Sequence, residues 1–111
     1  MFSAAFIFRP GTYDDDFHSL DRQIHEAAVS TDGFLGREIW QSPNGALMNV
    51  IYYWHSMQAL ETFSKHPKHL EAKRQYRRWY EGFHVVVSEV RHAYGDGRIS
   101  HVTRSAGSES D

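Results

Sequence analysis

At 111 residues and a formal charge of -2, the chain has room for one domain and none for a cofactor-binding domain beside a substrate domain. Twelve basic against fourteen acidic residues exclude the footprint of a nucleic-acid binder, and the absence of cysteine excludes disulfides, thiolate nucleophiles, iron–sulfur clusters and thiolate zinc sites. The 41% hydrophobic and 14% aromatic content points to a packed core, whereas no apolar run approaches the roughly 20 residues of a membrane span and Met1-Phe2-Ser3 lacks the basic region of a signal peptide, so the expected location is cytoplasmic.

Residues 4–9, Ala-Ala-Phe-Ile-Phe-Arg, are short, apolar and stopped by Pro10-Gly11, which predicts a buried first strand. Asp14, Asp15 and Asp16 then supply an N-cap and a negative first turn. Phe17, Leu20, Ile24 and Ala27 follow at helical spacing, giving a helix that ends near Ser30. After the turn Thr31-Asp32-Gly33, residues 34–41 have strand character, and Ser42-Pro43-Asn44-Gly45 predicts a hairpin into a strand over residues 46–54. That strand is apolar nearly throughout, so both of its faces require cover.

Ser56 caps a short helix carrying Met57, Leu60 and Phe63, which His66-Pro67 interrupts because proline cannot continue the hydrogen-bond ladder. A second segment restarts at Pro67 with His69, Ala72, Tyr76 and Trp79 on one stripe, and Gly82 marks its expected end. Lys73-Arg74 and Arg77-Arg78 occupy the solvated side of this helix. Residues 83–94 form the last strand, and residues 96–111, rich in Ser and poor in apolar side chains, are expected to be a flexible tail after a domain of residues 1–95.

The resulting order, βαββαβ, is that of an α+β ferredoxin-like sheet with helices on one face. The opposite face would expose four aromatic-rich strands, a patch beyond the few hundred Å² a soluble monomer tolerates. Two sheets packed face to face as a homodimer remove that exposure, and a domain this small, burying only about two-thirds of its unfolded surface, gains from it.

The stretch Asp32-Gly33-Phe34-Leu35-Gly36, the hairpin, and Tyr53-Trp54-His55-Ser56-Met57-Gln58-Ala59-Leu60 resemble the antibiotic biosynthesis monooxygenase family of dimeric α+β barrels. The likeness continues through His66-Pro67-Lys68-His69, Ala72-Lys73, Trp79-Tyr80, Ser88-Glu89-Val90 and Tyr94-Gly95, covering residues 4–95. It implies a homodimer in which each subunit holds a pocket between sheet and helices. Its members include cofactor-free oxygenases of phenols and hydroquinones and haem-cleaving enzymes, and many have no assigned reaction, so function must be argued from the site.

For the haem-degrading branch, alignment on Trp54 and Pro67 places Ala72 at the helical histidine ligand, Phe63 at the neighbouring tryptophan and alanines on the first strand. His69 lies one turn earlier on the same stripe and keeps haem as a minor alternative. His66 and His69 have the spacing of metal ligands but lack a third partner, so no metal site is expected.

A cofactor-free oxygenase needs a base of near-neutral pKa and a dry aromatic pocket. His69 is the candidate base, and Trp40, Asn49, Tyr52, Trp54, His66, Tyr76 and Trp79 are the candidate substrate-binding residues, although each aromatic also suits core or interface. The bland reading of the histidines has His66 capping the helix break and His69 packed against the sheet. His84, beside Val85, Val86 and Val87 in the last strand, is explained equally by a partner across the sheet. The expected function is oxygenation of a small aromatic or quinol-type compound without a tightly bound cofactor. The alternative is a non-catalytic ligand-binding or stress-responsive barrel.

Overall fold

A computed structural model describes residues 1–103, so the expected tail lies outside the described residues from position 104 onward. Its elements are β1 (Phe2–Pro10), α1 (Asp15–Ser30), β2 (Phe34–Gln41), β3 (Met48–Trp54), α2 (Met57–Ser64), α3 (Pro67–Trp79) and β4 (Tyr80–Glu89). They form one antiparallel sheet in the order β2-β3-β1-β4, the arrangement of an α+β ferredoxin-like fold.

Local chemistry sets the boundaries. The Asp14 carboxylate accepts the Phe17 N–H at 2.8 Å to start α1, and Ser56 Oγ accepts the Ala59 N–H at 3.1 Å to start α2. His66 Nδ1 accepts the Lys68 N–H at 3.1 Å ahead of Pro67, so the proline that ends one helix opens the next.

Four boundaries differ from the sequence expectation, the first being β1, which runs Phe2–Pro10 and not 4–9. Ala46 and Leu47, expected in the strand, belong to the turn, because Asn44 Oδ1 holds the Ala46 N–H at 3.0 Å and Ser42 Oγ holds the Leu47 N–H at 3.0 Å. Gly82, expected to end α3, is instead a strand residue opposite Arg9. The helix stops earlier, at Trp79, whose carbonyl accepts the Gly11 N–H at 2.7 Å while Tyr80 is already extended. A Cβ on Gly11 would lie 2.7 Å from that carbonyl oxygen, so only glycine allows this approach. Finally, β4 ends at Glu89 and not near residue 94, since its partner begins at Phe2 and the ladder closes with Val90 N–H on the Met1 carbonyl at 2.9 Å.

The register divides the sheet into two faces. Phe34, Trp54, Tyr52, Ala4 and Phe6 lie toward the helices, where Trp54, fully buried at 0% exposure, packs with Ala27 and Ala28 of α1 and Ala59, Leu60 and Phe63 of α2. Burial of each such large side chain contributes roughly 1.5–3 kcal/mol. On the opposite face stand Glu38, Trp40, Asn49, Ile51, Tyr53, Ala5, Ile7, His84 and Val86. No helix among the described residues reaches this second face. Among the described residues, no helix is long and apolar enough to cross a membrane.

Candidate functional site

α1 and α3 run over the helix-bearing face and leave a crevice between them, lined by Phe17, Leu20, Asp21, Ile24, Ala72, Trp79 and Tyr80. The crevice holds about 20 Å³, room for one water. Leu20 and Trp79 also form the inner wall of a shallower outer groove of about 240 Å³, lined by Asp16, Ser19, Gln23, Glu71, Gln75 and Arg78. A flat molecule passing from groove to crevice would have to displace one of these two side chains.

His69 projects from α3 one turn before Ala72. Its ring meets Phe63 edge-on at 4.9 Å, and Phe63 in turn packs on Tyr52 and Trp54, so the imidazole adjoins the aromatic core. His69 Nδ1 is sealed from solvent and has no hydrogen-bond partner. Burial lowers the His69 pKa, the Lys73 and His66 charges add to that, and the nearby Ser64 backbone pulls the other way. The ring is therefore neutral at pH 7 and able to take up a proton.

Three phenols lie on this side of the sheet: Tyr80 lines the crevice, Tyr13 meets Tyr80 edge-on at 6.3 Å, and Tyr52 packs on Phe63. Burial raises Tyr80, with Tyr13, Asp21 and Tyr52 adding to the effect. Tyr52 is also raised by burial, against a contact from Arg37 Nη1 to its hydroxyl at 3.5 Å. Tyr13 is raised by burial and by Asp21. All three therefore remain hydroxyls at neutral pH.

The expected site residues divide by face. Tyr52, Trp54 and His69 meet through Phe63 on the helix side. Trp54 is core, and its Nε1 has no partner. Trp79 walls both crevice and groove and donates its indole N–H to Asp14 at 3.0 Å. Tyr76 packs edge-on against Phe83 at 4.9 Å and accepts from Arg77 at 3.1 Å. His66 is the α3 cap. Trp40, 61% exposed, and Asn49, whose buried Oδ1 has no partner, are paired on the face away from the helices. His84 lies exposed on that second face too.

Sequence reasoning missed Asp21, Arg37, Tyr13 and Tyr80, which come from four different elements or loops and share no motif. Only their placement toward the helix side unites them, and in Arg37 the signal was a lone cation at an inward register position. Haem does not fit these residues: Ala72, at the expected ligand position, has no ligating atom, and the crevice beside it is far below the roughly 300 Å³ at which ligand pockets begin. No group of three His, Asp or Glu side chains among the described residues could hold a metal ion.

Over residues 9–92 the sequence matches the family described as Monooxygenase af470-like. It is similar to the uncharacterized protein YqjZ of Bacillus subtilis (strain 168), with 38% identity over 78 residues, or 69% of this chain and 68% of that one. Its fold is similar to SnoaB, a cofactor-independent oxygenase from Streptomyces nogalater, with TM-score 0.66, 13% identity and coverage of 81% of this chain and 92% of that one. It is also similar to a solved antibiotic biosynthesis monooxygenase, with TM-score 0.64, 13% identity and coverage of 81% and 98%. These matches bear out the resemblance to antibiotic biosynthesis monooxygenases read from the sequence.

Proposed function

The chain belongs to the Monooxygenase af470-like family, and from that premise we propose that it oxygenates a small aromatic or quinol-type compound without a tightly bound cofactor, His69 acting as the base. The observation that carries this reading is the buried, unpartnered Nδ1 of a histidine whose pKa is lowered by its surroundings. Such a nitrogen accepts the proton of a phenol. The resulting anion is electron-rich enough to react with dioxygen; one oxygen atom ends on the ring and the other leaves as water, so a phenol gives the quinone and a hydroquinone gives the hydroxyquinone. Tyr52 and Tyr80, held as hydroxyls, orient the substrate oxygens, and the Phe63–Tyr52–Trp54 rings supply a dry aromatic wall. The SnoaB likeness supports chemistry without a cofactor, since that protein is a cofactor-independent oxygenase.

The same reading has a cytoplasmic homodimer, two copies packing their helix-free faces together. Trp40, Val86 and the unpartnered Asn49 Oδ1 on that face support such a contact.

The test is oxygen uptake by the purified protein across a panel of monocyclic and polycyclic hydroquinones, with His69→Ala alongside. Quinone formation that falls in the variant is the expected result. Turnover unchanged in His69→Ala removes the base assignment, and saturable binding without oxygen uptake across the panel favours a passive binding barrel.

A further inference from the structure

Tyr53 is the one sheet side chain among the described residues that is buried on the face away from the helices, at 7% exposure, while its strand neighbours there are half-buried or exposed. No helix covers it. What does comes from later in the chain: β4 lies on the sheet edge opposite β2, and residues 90–103 carry the backbone back so that His101 rests on Glu38 of β2 and Tyr53 of β3, and Val102 on Gly36 of β2.

The contact is specific. The Tyr53 hydroxyl donates to Glu38 Oε1 at 2.6 Å, and Glu38 Oε2 lies 2.9 Å from His101 Nε2, so each carboxylate oxygen has its own donor. His101 Nδ1 accepts the Thr103 N–H at 3.1 Å and lies 2.7 Å from Thr103 Oγ1. In the neutral ring the proton is therefore on Nε2, facing Glu38. The His101 and Tyr53 rings meet edge-on at 5.7 Å, and Thr103 is itself buried.

Val102 fits where β2 presents no side chain. A Cβ on Gly36 would lie 3.0 Å from Val102 Cγ2, and Gly36 holds φ +141, a conformation L side chains rarely adopt. The bulge between Phe34 and Gly36 thus makes a seat for the returning chain. Two separate features converge on one patch: the Glu38 carboxylate joining Tyr53 to His101, and the Gly36 seat for Val102.

We propose that residues 101–103 are an intramolecular clasp, which docks on the Gly36–Glu38–Tyr53 patch and closes that end of the helix-free face to other molecules until the Glu38–His101 contact breaks. The clasp needs no ligand and leaves the rest of the face, including Trp40, His84 and Val86, uncovered.

Hydrogen exchange read by NMR tests it on the full chain. The Thr103 amide is expected to be protected, and His101→Ala, which removes both its acceptor and the Glu38 contact, to speed its exchange at least about tenfold while β1 and β3 amides keep their rates. Nitration by tetranitromethane, mapped by mass spectrometry, should reach Tyr53 in His101→Ala and spare it in the parent. Thr103 exchanging as fast as an unstructured peptide in the parent, or Tyr53 reacting equally in both proteins, overturns the clasp. Protection that disappears on dilution overturns closure within one chain and assigns the contact to a second copy.

Discussion

Trp79 donates its indole N–H to Asp14 Oδ1 at 3.0 Å, joining the last residue of α3 to the cap of α1 across 65 positions of sequence. The same oxygen accepts the Phe17 N–H at 2.8 Å, so one carboxylate starts a helix and fixes the wall of the crevice. Trp79→Phe, which keeps the ring but loses the donor, is expected to destabilise by about 1–3 kcal/mol in urea denaturation. Asp14→Ala should lower the urea midpoint more than Asp14→Asn, which retains the cap. The Phe17 N–H holds the Asp14 pKa below its ordinary value, burial opposes this, and Trp79 and Arg78 assist. The sign follows: this contribution is present above the ordinary carboxylate pKa and is lost as pH falls through the depressed one.

His69→Ala should reduce kcat/KM for an oxidised quinol by about 10²- to 10⁴-fold, the usual contribution of a positioned base. Because burial, Lys73 and His66 lower the His69 pKa from 6.5, the base form dominates at neutral pH. The rate should therefore be level through pH 7 and fall only on acidification below the ordinary histidine range. A rate still rising above pH 7 contradicts the assignment.

Phe63 shields His69 from water and anchors the core beneath it. Phe63→Leu should cost about 1–2 kcal/mol and, by admitting solvent, return the His69 titration toward 6.5, read from its ring proton shifts in NMR. A titration left in place assigns the shift to Lys73 and His66 instead.

Gly36→Ala puts a methyl where Val102 sits and strains a left-handed backbone, so it should cost about 1–2 kcal/mol and release residues 101–103. Acid should do the same without substitution. Burial raises the Glu38 pKa, but Tyr53, Trp40 and His101 outweigh it and leave the value lowered. Stability from this carboxylate is thus present above the ordinary glutamate pKa and disappears as pH falls through the lower, folded value. The Val102 methyl shifts in NMR report the step.

Most elements were legible because local chemistry sets them: Asp14 and Ser56 as caps, Pro67 as the break, and the aromatic strands by composition. His66 also carries the cap role expected of it. Gly82 misled because a glycine after a helical stripe reads as a stop, whereas the stop is made by Gly11 reaching the Trp79 carbonyl from the other end of the chain. The site was legible only as far as periodicity reaches. His69 was found from its stripe, but Trp40 and Asn49 could not be separated from Tyr52 and Trp54 without the β2–β3 register. His101 and Glu38 stand 63 positions apart, and no spacing rule connects them.

The three tryptophans lie in three different layers: Trp54 at 0% exposure in the core, Trp79 between the helices, and Trp40 on the helix-free face. The molecule thus carries three optical reporters that separate by solvent access. Iodide should quench the red-shifted emission of Trp40 and leave the other two nearly untouched. A blue shift confined to Trp40 then signals a second body arriving on the open face, and one confined to Trp79 signals a ligand entering between the helices. In single-tryptophan variants, ordinary fluorescence can distinguish the two events in the same cuvette.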